Sequence, residues 1–309
     1  KELVKPDGFS LVVFDEAQTI QNIGSILKVF IDTYPNVQLI ATGSSSFDLA
    51  NKINEPLTGR SFEFILYPLS IAEIKQSGLE VTESDMYELL RLGSYPAIVT
   101  ETDISVRANL LKNIATNYLY KDIFIFESIK NPKVFEDLIK MLAFQVGSLV
   151  SVNELSSGLG VSRHTIDKYL RLLEQAYIIK RLYSFSRNHR NEIKKAFKVY
   201  FIDNGIRNVV AELTDNNISE RNDKGALLEN FFFSEKLKNY SGETFPPRLY
   251  FWRTVQKEEI DFVEVKGNEV RAYEGKWNPD IQPSFKSFLK KYPNTPTNIV
   301  SINTFYEDK

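Results

Sequence analysis

The sequence predicts an α/β multidomain protein, and three observations lead to that prediction. The chain has 309 residues, about twice the usual length of one domain, so we expect two or three domains. Residues 11–46 follow a strand, helix, strand pattern that is typical of α/β sheets. Residues 71–144 are mostly helical in period, and residues 225–277 combine one helix with several strands.

The composition is that of a globular protein and excludes several classes of site. Hydrophobic residues make up 43% and charged residues 25%, which excludes a wholly disordered chain. The formal net charge is -2, so a nucleic-acid-binding surface has to be local. The chain has no cysteine, which excludes disulfides and thiolate metal sites, and its two histidines are too few for a multi-histidine metal site.

The sequence gives no sign of a membrane or of export. No apolar run approaches the roughly 20 residues needed to cross a bilayer, and the first residues lack a signal-peptide pattern. We therefore predict a cytoplasmic protein without membrane contact. Because the chain starts without methionine, we also expect it to be a fragment of a longer protein.

Two predicted parallel strands end in polar residues that suit a nucleotide site. Asp15 and Glu16 follow the apolar residues 11–14, which we expect to be buried on both faces of a sheet, and residues 42–46 follow the strand at 37–41. Ligands of open α/β sheets bind at such strand ends. One acid there can hold Mg²⁺ through water while the next polarises an attacking water. For this motif alone, solvated acids at a strand end are an equally good interpretation.

Residues 151–179 have the pattern of a helix-turn-helix followed by a wing. Ser151 and Glu154 have capping-box spacing, a glycine turn follows at residues 158–160, and a longer helix spans residues 163–175. A strand at residues 176–179 would begin the wing. The exposed residues of the second helix that we predict to contact nucleic acid are Arg163, His164, Lys168 and Arg171.

A local basic cluster follows this predicted strand. Seven basic residues lie between Lys180 and Lys198 against the single acid Glu192, with three aromatic residues interleaved. Such a mixture favours contact with a nucleic-acid backbone, although a solvated loop, an internal contact or a protein partner remains an alternative. The predicted DNA contacts in this segment are Arg187, Arg190, Lys194 and Lys195.

The last hundred residues place two acids and a lysine where strands can bring them together. Glu274 and Lys276 are two residues apart and therefore project from one face of a predicted strand. Asp261 lies on the partner strand across a tight hairpin. These groups could hold Mg²⁺ or Mn²⁺ and orient a water for attack on phosphate, with Glu229 as a further metal ligand. A solvated hairpin explains the same motif about as well.

The N-terminal segments resemble the AAA+ ATPases of one prokaryotic group, in which the ATPase domain precedes a poorly characterised C-terminal domain. The segments that carry the resemblance are residues 11–18, 41–46, 57–60 and 66–70. It implies that ATP binds with Mg²⁺ at a Walker B pair, Asp15 and the catalytic Glu16. It also implies that Thr42 and Ser44 lie near the sensor position and that Arg60 senses phosphate.

The phosphate-binding loop of such ATPases is absent from this chain. No Gly-x-x-x-x-Gly-Lys-Ser/Thr occurs in the sequence, and in the family this loop lies upstream of the Asp-Glu strand. Either the gene product is truncated or the upstream part is missing. We therefore expect ATP hydrolysis only from the full-length protein.

The C-terminal motif resembles the PD-(D/E)xK nuclease fold. Asp261 corresponds to the first acid and Glu274-x-Lys276 to the second half, and the same family resemblance extends over residues 225–231 and 250–253. It implies that Asp261, Glu274 and Lys276 are catalytic. The proline that gives the motif its name is absent before Asp261.

Two functions follow from these resemblances and both remain open. One is an ATP-driven DNA-processing protein with a metal-dependent nuclease domain. The other is a non-catalytic, nucleotide-dependent switch that binds DNA or a protein partner, and family analogy implies a monomer or dimer in either case. The predicted domains are a partial P-loop AAA+ α/β domain (1–75), a helical linker (76–145), a winged helix (146–205) and a restriction-endonuclease-like α/β domain (206–309).

Overall fold

The computed structural model of the chain is a mixed α/β protein, as the sequence predicts. It describes residues 10–43, 57, 59–117, 129, 131–186, 197–215 and 217–307. Within these ranges the strands form separate sheets of two, three and four strands. None of the helices in these ranges combines the length and the apolar character that crossing a bilayer requires.

The N-terminal unit is a pair of parallel strands connected by a helix. Strand β1 (Ser10–Phe14) pairs with β2 (Val37–Ala41), and helix α1 (Ile23–Thr33) packs against them. The expected burial of the first strand on both faces is wrong for the described residues, because Leu11 and Val13 are 53% and 52% exposed. Within the described ranges, only one face of this two-stranded sheet is covered.

Four helices follow, and side-chain caps begin the first two. The helices are α2 (Ile71–Gln76), α3 (Glu83–Leu92), α4 (Pro96–Val99) and α5 (Ile104–Thr116). Ser70 and Thr82 form capping boxes with Glu73 and Asp85, respectively. The helical character predicted for residues 71–144 is confirmed over these helices. Residues 118–128 of that region lie outside the described residues.

Gly93 ends α3 at a position where a side chain would not fit. Its φ is 76°, which favours glycine, and an added Cβ would lie 2.0 Å from Oδ1 of Asp203. The same carboxylate accepts hydrogen bonds from the backbone amides of Ser94 (2.9 Å) and Ile206 (3.1 Å). The glycine therefore lets the helical region approach the segment around Asp203 closely.

The central unit contains three helices and a small antiparallel sheet of order β3-β5-β4. In chain order its elements are α6 (Pro132–Phe144), β3 (Leu149–Val150), α7 (Val152–Leu159), α8 (Arg163–Gln175), β4 (Ile179–Tyr183) and β5 (Phe197–Phe201). The two predicted helices are confirmed, with Ser151 capping α7 and Gly160 ending it. The strand begins at residue 179 rather than 176, because residues 176–178 form the turn that closes α8.

The C-terminal unit is a long helix packed on a four-stranded sheet. Its elements are α9 (Asn204–Val210), α10 (Lys224–Tyr240), β6 (Arg248–Arg253), β7 (Glu259–Lys266), β8 (Glu269–Gly275), α11 (Lys286–Lys291), β9 (Thr297–Val300) and α12 (Asn303–Tyr306). The sheet order is β6-β7-β8-β9, in which β8 and β9 are parallel and the other pairs antiparallel. The predicted hairpin is confirmed, because Lys266 pairs with Glu269 across a two-residue turn.

One hydrophobic core runs through the central and C-terminal units. Tyr200 of β5 stacks on Phe233 of α10 with ring centroids 4.6 Å apart, and it contacts Phe262 of β7 at 5.4 Å. All three rings are buried. The core is thus continuous across residue 205, where we predicted a domain boundary.

Helix α10 also carries buried polar side chains that join it to β5. Asn230 is fully buried and accepts a hydrogen bond from the Phe201 amide at 2.7 Å. Its side-chain amide donates to the Phe201 carbonyl at 3.0 Å and to Asn204 at 2.6 Å. Because buried backbone groups require partners, Asn230 fixes the position of β5 against α10.

A second set of polar contacts joins α10 to the helical region. Glu235 accepts a hydrogen bond from the Ile71 amide at 2.9 Å. The ammonium of Lys238 donates to the Leu69 carbonyl at 3.1 Å, to the Ser94 hydroxyl at 2.8 Å and to Glu235 at 2.9 Å. The helix therefore contacts both the helical region and the central unit through buried hydrogen bonds.

Replacing Asn230 should destabilise this junction. We expect Asn230→Leu to lower the free energy of unfolding by about 3 kcal/mol, because the backbone groups of Phe201 lose their partner. Chemical denaturation followed by the fluorescence of Trp252 and Trp277 measures the change. The matched control is Asn239→Leu on the exposed side of α10, with an expected change within about 0.5 kcal/mol. Equal losses in the two variants would contradict the prediction.

Candidate functional sites

Asp15, Glu16 and Thr42 meet at the carboxyl ends of β1 and β2. The Thr42 hydroxyl donates a hydrogen bond to Oδ1 of Asp15 at 2.5 Å, and the Glu16 amide donates to the same hydroxyl at 3.3 Å. The pairing of Phe14 with Ala41 brings these residues together. They lie at the edge where open α/β sheets bind their ligands.

A further residue predicted for this site, Arg60, contacts α1 instead. The guanidinium of Arg60 forms an ion pair with Asp32 of α1, and both side chains are about half exposed. Exposed ion pairs of this kind are weak, so the pair itself fixes Arg60 only loosely. Ser44 lies outside the described residues.

Asp261, Glu274 and Lys276 come together at the end of the β7–β8 hairpin away from its turn. The Gly275 amide donates to Oδ2 of Asp261 at 2.8 Å, and the Asp261 amide donates to Oε2 of Glu274 at 3.2 Å. The ammonium of Lys276 donates to Oε1 of Glu274 at 3.0 Å. The structure therefore brings these three predicted residues together, and Glu274 and Lys276 remain 12% and 28% exposed.

Lys198 joins this group from β5, although we did not predict it as a member of the site. Its ammonium donates to Oε1 of Glu259 at 2.6 Å and to Oε1 of Glu229 at 3.1 Å, and its side chain is 1% exposed. Glu229, on α10, also accepts a hydrogen bond from the Tyr200 hydroxyl. Arg253 donates to Oε2 of Glu259 at 2.6 Å. Asp261 lies close enough to affect the charges of both Lys198 and Glu229, so the acids and cations form one electrostatic cluster.

Burial and neighbouring charges shift the pKa values of the side chains in the cluster. Burial alone would lower the pKa of Lys198, but the surrounding carboxylates outweigh it and raise the pKa above its ordinary value. Burial and the charge of Asp261 raise the pKa of Glu229 to about 7. Burial also raises the pKa of Asp261, and burial together with Asp261 raises that of Glu274. At neutral pH Lys198 is therefore charged, whereas Glu229 is about half protonated.

The interpretation of the basic cluster as one exposed surface is wrong for two of its three described basic residues, of which only Lys180 is exposed. Lys198 is buried, and Arg181 is bound to Glu174 at 2.6 Å with its side chain 15% exposed. Phe185 and Phe197 are buried as well. Arg181, Phe197 and Lys198 belong to strands of the central sheet. Phe185 follows β4 and is buried, so these residues do not form an exposed binding surface. The other predicted DNA contacts of this segment, Arg187, Arg190, Lys194 and Lys195, lie outside the described residues.

The predicted DNA contacts on α8 are exposed. Four residues on the outer face of α8 are accessible, namely Arg163, His164, Lys168 and Arg171. The opposite face of the helix is buried through its apolar side chains. The helical period of the sequence therefore gave the correct orientation for this helix.

The predicted metal ligands of the C-terminal cluster suit a divalent cation in chemistry but not in spacing. Their donors are carboxylate oxygens, which Mg²⁺ and Mn²⁺ prefer, so Glu229, Asp261 and Glu274 suit such an ion. Over the described ranges, however, no three Asp, Glu or His side chains are grouped closely enough to hold a metal ion. The cations that contact these acids are two ammonium groups, that of Lys198 on Glu229 and that of Lys276 on Glu274. The expected metal stays a prediction.

Three family models match successive parts of the chain. An AAA domain matches residues 1–75, and two domains of unknown function match residues 83–217 (DUF8612) and 224–306 (DUF4143). The first and last matches support an AAA-family, ATPase-like protein.

Three similar proteins each bear the name of an uncharacterized protein. One from Haemophilus influenzae is 26% identical over 269 residues, covering 84% of this chain and 63% of that protein. Another from Mycobacterium tuberculosis is 28% identical over 284 residues, covering 90% of this chain and 62% of that protein. A third from Methanocaldococcus jannaschii is 28% identical over 239 residues, covering 72% of this chain and 52% of that protein. The chain thus spans less than two thirds of the length of these relatives.

The raised pKa of Glu229 should make stability fall as pH rises. Because the folded state binds this proton more tightly than the unfolded chain, Glu229 stabilises the fold below pH 4.5 and loses that contribution as pH rises through about 7. Relative to Glu229→Gln, the wild type should lose about 3 kcal/mol of unfolding free energy across this window.

Urea denaturation at several pH values measures the difference between the two proteins. Glu269→Gln, which removes a 74% exposed carboxylate, is the control for losing one charge. A wild-type stability that rises with pH relative to Glu229→Gln would contradict the prediction.

Proposed function

We propose that this protein is an AAA-family ATPase that acts on DNA and cleaves it in its C-terminal unit. The observation that carries the proposal is the meeting of Asp261, Glu274 and Lys276 on neighbouring strands, within hydrogen-bond distance of one another or of the intervening backbone. Two carboxylates and an ammonium at one point are groups that can promote phosphodiester hydrolysis.

Each of these groups has a role that its surroundings support. Glu274 has a raised pKa, which suits it to accept a proton from an attacking water. The ammonium of Lys276 is partly exposed and can stabilise the negative charge that develops on a phosphate. A divalent metal held by Asp261, Glu274 and Glu229 would, when bound, lower the pKa of its water and produce the nucleophile.

DNA docking is assigned to the exposed face of α8. In helix-turn-helix proteins the second helix enters the major groove, and α8 is the second helix of the pair that follows β3. Its exposed basic residues Arg163, Lys168 and Arg171 suit phosphate contacts.

Nucleotide binding is assigned to Asp15, Glu16 and Thr42. Asp15 would hold the Mg²⁺ of ATP through water molecules, and Glu16 would polarise the water that attacks the terminal phosphate. The match of residues 1–75 to an AAA domain supports this role. Since the sequence contains no phosphate-binding loop, hydrolysis is proposed for a longer protein that supplies it.

Cleavage should depend on the acids of the C-terminal cluster. With Mn²⁺ present, we expect the wild type to cut single- or double-stranded DNA, and Asp261→Ala and Glu274→Ala to lose at least about 100-fold in rate. Glu269→Ala, an exposed acid at the other end of β8, should retain the wild-type rate. A time course on labelled DNA measures these rates.

The alternative function is the non-catalytic switch, and the position of Lys198 favours it. The ammonium of Lys198 already binds the carboxylates of Glu229 and Glu259, as in a site that only maintains the fold. DNA bound without cleavage by any of these variants would overturn the nuclease assignment and support the switch.

DNA binding should depend on α8 and weaken with salt. We expect the triple variant Arg163→Glu, Lys168→Glu, Arg171→Glu to bind DNA more weakly and to lower the salt slope by about 1 per residue. Fluorescence anisotropy of a labelled duplex at several salt concentrations measures both quantities. The control reverses the same number of exposed charges on α11, at Lys286, Lys290 and Lys291. Equal effects in both triple variants would exclude α8 as the docking surface.

A further inference from the structure

We propose that the segment formed by residues 61–66 pairs, as a β-strand, with the same segment of a second copy of this chain. The segment connects the N-terminal unit to α2. Its side chains Phe62, Phe64 and Leu66 are 91%, 77% and 96% exposed. A single exposed apolar residue is normal in a protein surface, but neighbouring ones mark an interaction site.

The side chains of the segment alternate as in a strand. Phe62, Phe64 and Leu66 are exposed, whereas Ile65 is partly buried. Because successive side chains of a strand point to opposite faces, the three exposed residues share one face. The opposite face carries Glu63 and Ile65. The outward face of the segment is therefore entirely apolar.

The rest of the molecule holds one edge of the segment. The Ser241 hydroxyl donates a hydrogen bond to the Ile65 carbonyl at 3.1 Å, and the ring of Tyr67 lies 6.5 Å from that of Tyr177. Successive residues of a strand direct their backbone groups to opposite edges, so those of the three exposed residues face away from Ser241. Within the described ranges these backbone groups have no hydrogen-bond partner. Such an edge is a template for pairing with another chain.

The sequence of the segment suits a second copy of itself. Its exposed apolar residues are centred on Phe64, so antiparallel pairing about this residue places Phe64 opposite Phe64 and Phe62 opposite Leu66. The single charge, Glu63, then lies opposite Ile65, whereas parallel pairing in register would bring two carboxylates together. A two-fold contact of this kind closes at two copies.

The apolar area is sufficient for a weak dimer. A phenylalanine side chain buries about 150–250 Å², so the four rings of two copies would bury about 600–1,000 Å². The two Leu66 side chains and the paired backbones add to this area. The total reaches the value of about 1,000 Å² at which specific interfaces begin. We therefore expect a dimer that forms reversibly.

Analytical ultracentrifugation of the whole chain tests the dimer. The mass should rise from one copy to two between roughly 1 and 100 μM, as expected of a small interface. Phe64→Lys should raise the dissociation constant at least about tenfold, because two ammonium groups would then lie opposite each other. The control is Val255→Lys, which changes a 95% exposed residue between β6 and β7 and should leave the constant unchanged.

Because the chain has no cysteine, single cysteines can report the register of the pairing. In the proposed dimer the two Cα atoms of residue 64 lie about 5.5 Å apart, within reach of a disulfide, so oxidation should link Phe64→Cys to itself. Phe62→Cys should link to Leu66→Cys in a mixture. It should not link to itself, because its two copies would lie about 14 Å apart. Non-reducing gels, with one variant carrying a larger tag, separate these products.

Three results would overturn the proposal. The first is a chain that stays monomeric up to about 100 μM, which would assign the segment to a strand of another protein or of a longer form of this one. The second is the same dissociation constant for Phe64→Lys and Val255→Lys. The third is a Phe62→Cys variant that links to itself as readily as Phe64→Cys. The substituted side chains are exposed, so the variants should keep the wild-type melting temperature.

Discussion

The buried polar side chains of α10 are the constraint on which the arrangement of the central and C-terminal units depends. A polar group removed from water is costly unless it finds a partner. Asn230 finds its partners at the end of β5, whereas Glu235 and Lys238 find theirs near the start of α2 and after α3. These side chains of one helix can all be hydrogen-bonded only if the helical region and β5 approach the helix at fixed positions.

The candidate site in the C-terminal unit is part of the same arrangement. Glu229 lies one residue before Asn230, so the bonds that hold Asn230 to Phe201 also set the distance between Glu229 and β5. That strand carries Lys198 and Tyr200, both of which donate to Glu229. The contacts that stabilise the core therefore also determine the electrostatics of the site.

Local features of the sequence were sufficient to predict much of the fold and part of the site. Strand alternation and the hairpin turn at residues 267–268 brought Asp261 and Glu274 together, because both effects act between near neighbours. Lys198 could not be assigned in this way, since its acids lie 31 residues or more further along the chain. Within a basic segment it resembled a surface lysine. The one local signal was its position inside the apolar strand Phe197–Phe201.

The cluster is divided between two parts of the chain, so each part depends on the other to balance its buried charges. The acids lie on α10, β7 and β8, whereas the lysine that binds two of them lies on β5, before residue 205. A gene fusion that transferred only the C-terminal sheet and its helix would leave Glu229 and Glu259 without their ammonium. The transplanted part would then need a replacement cation, so the two units are expected to be inherited as one piece.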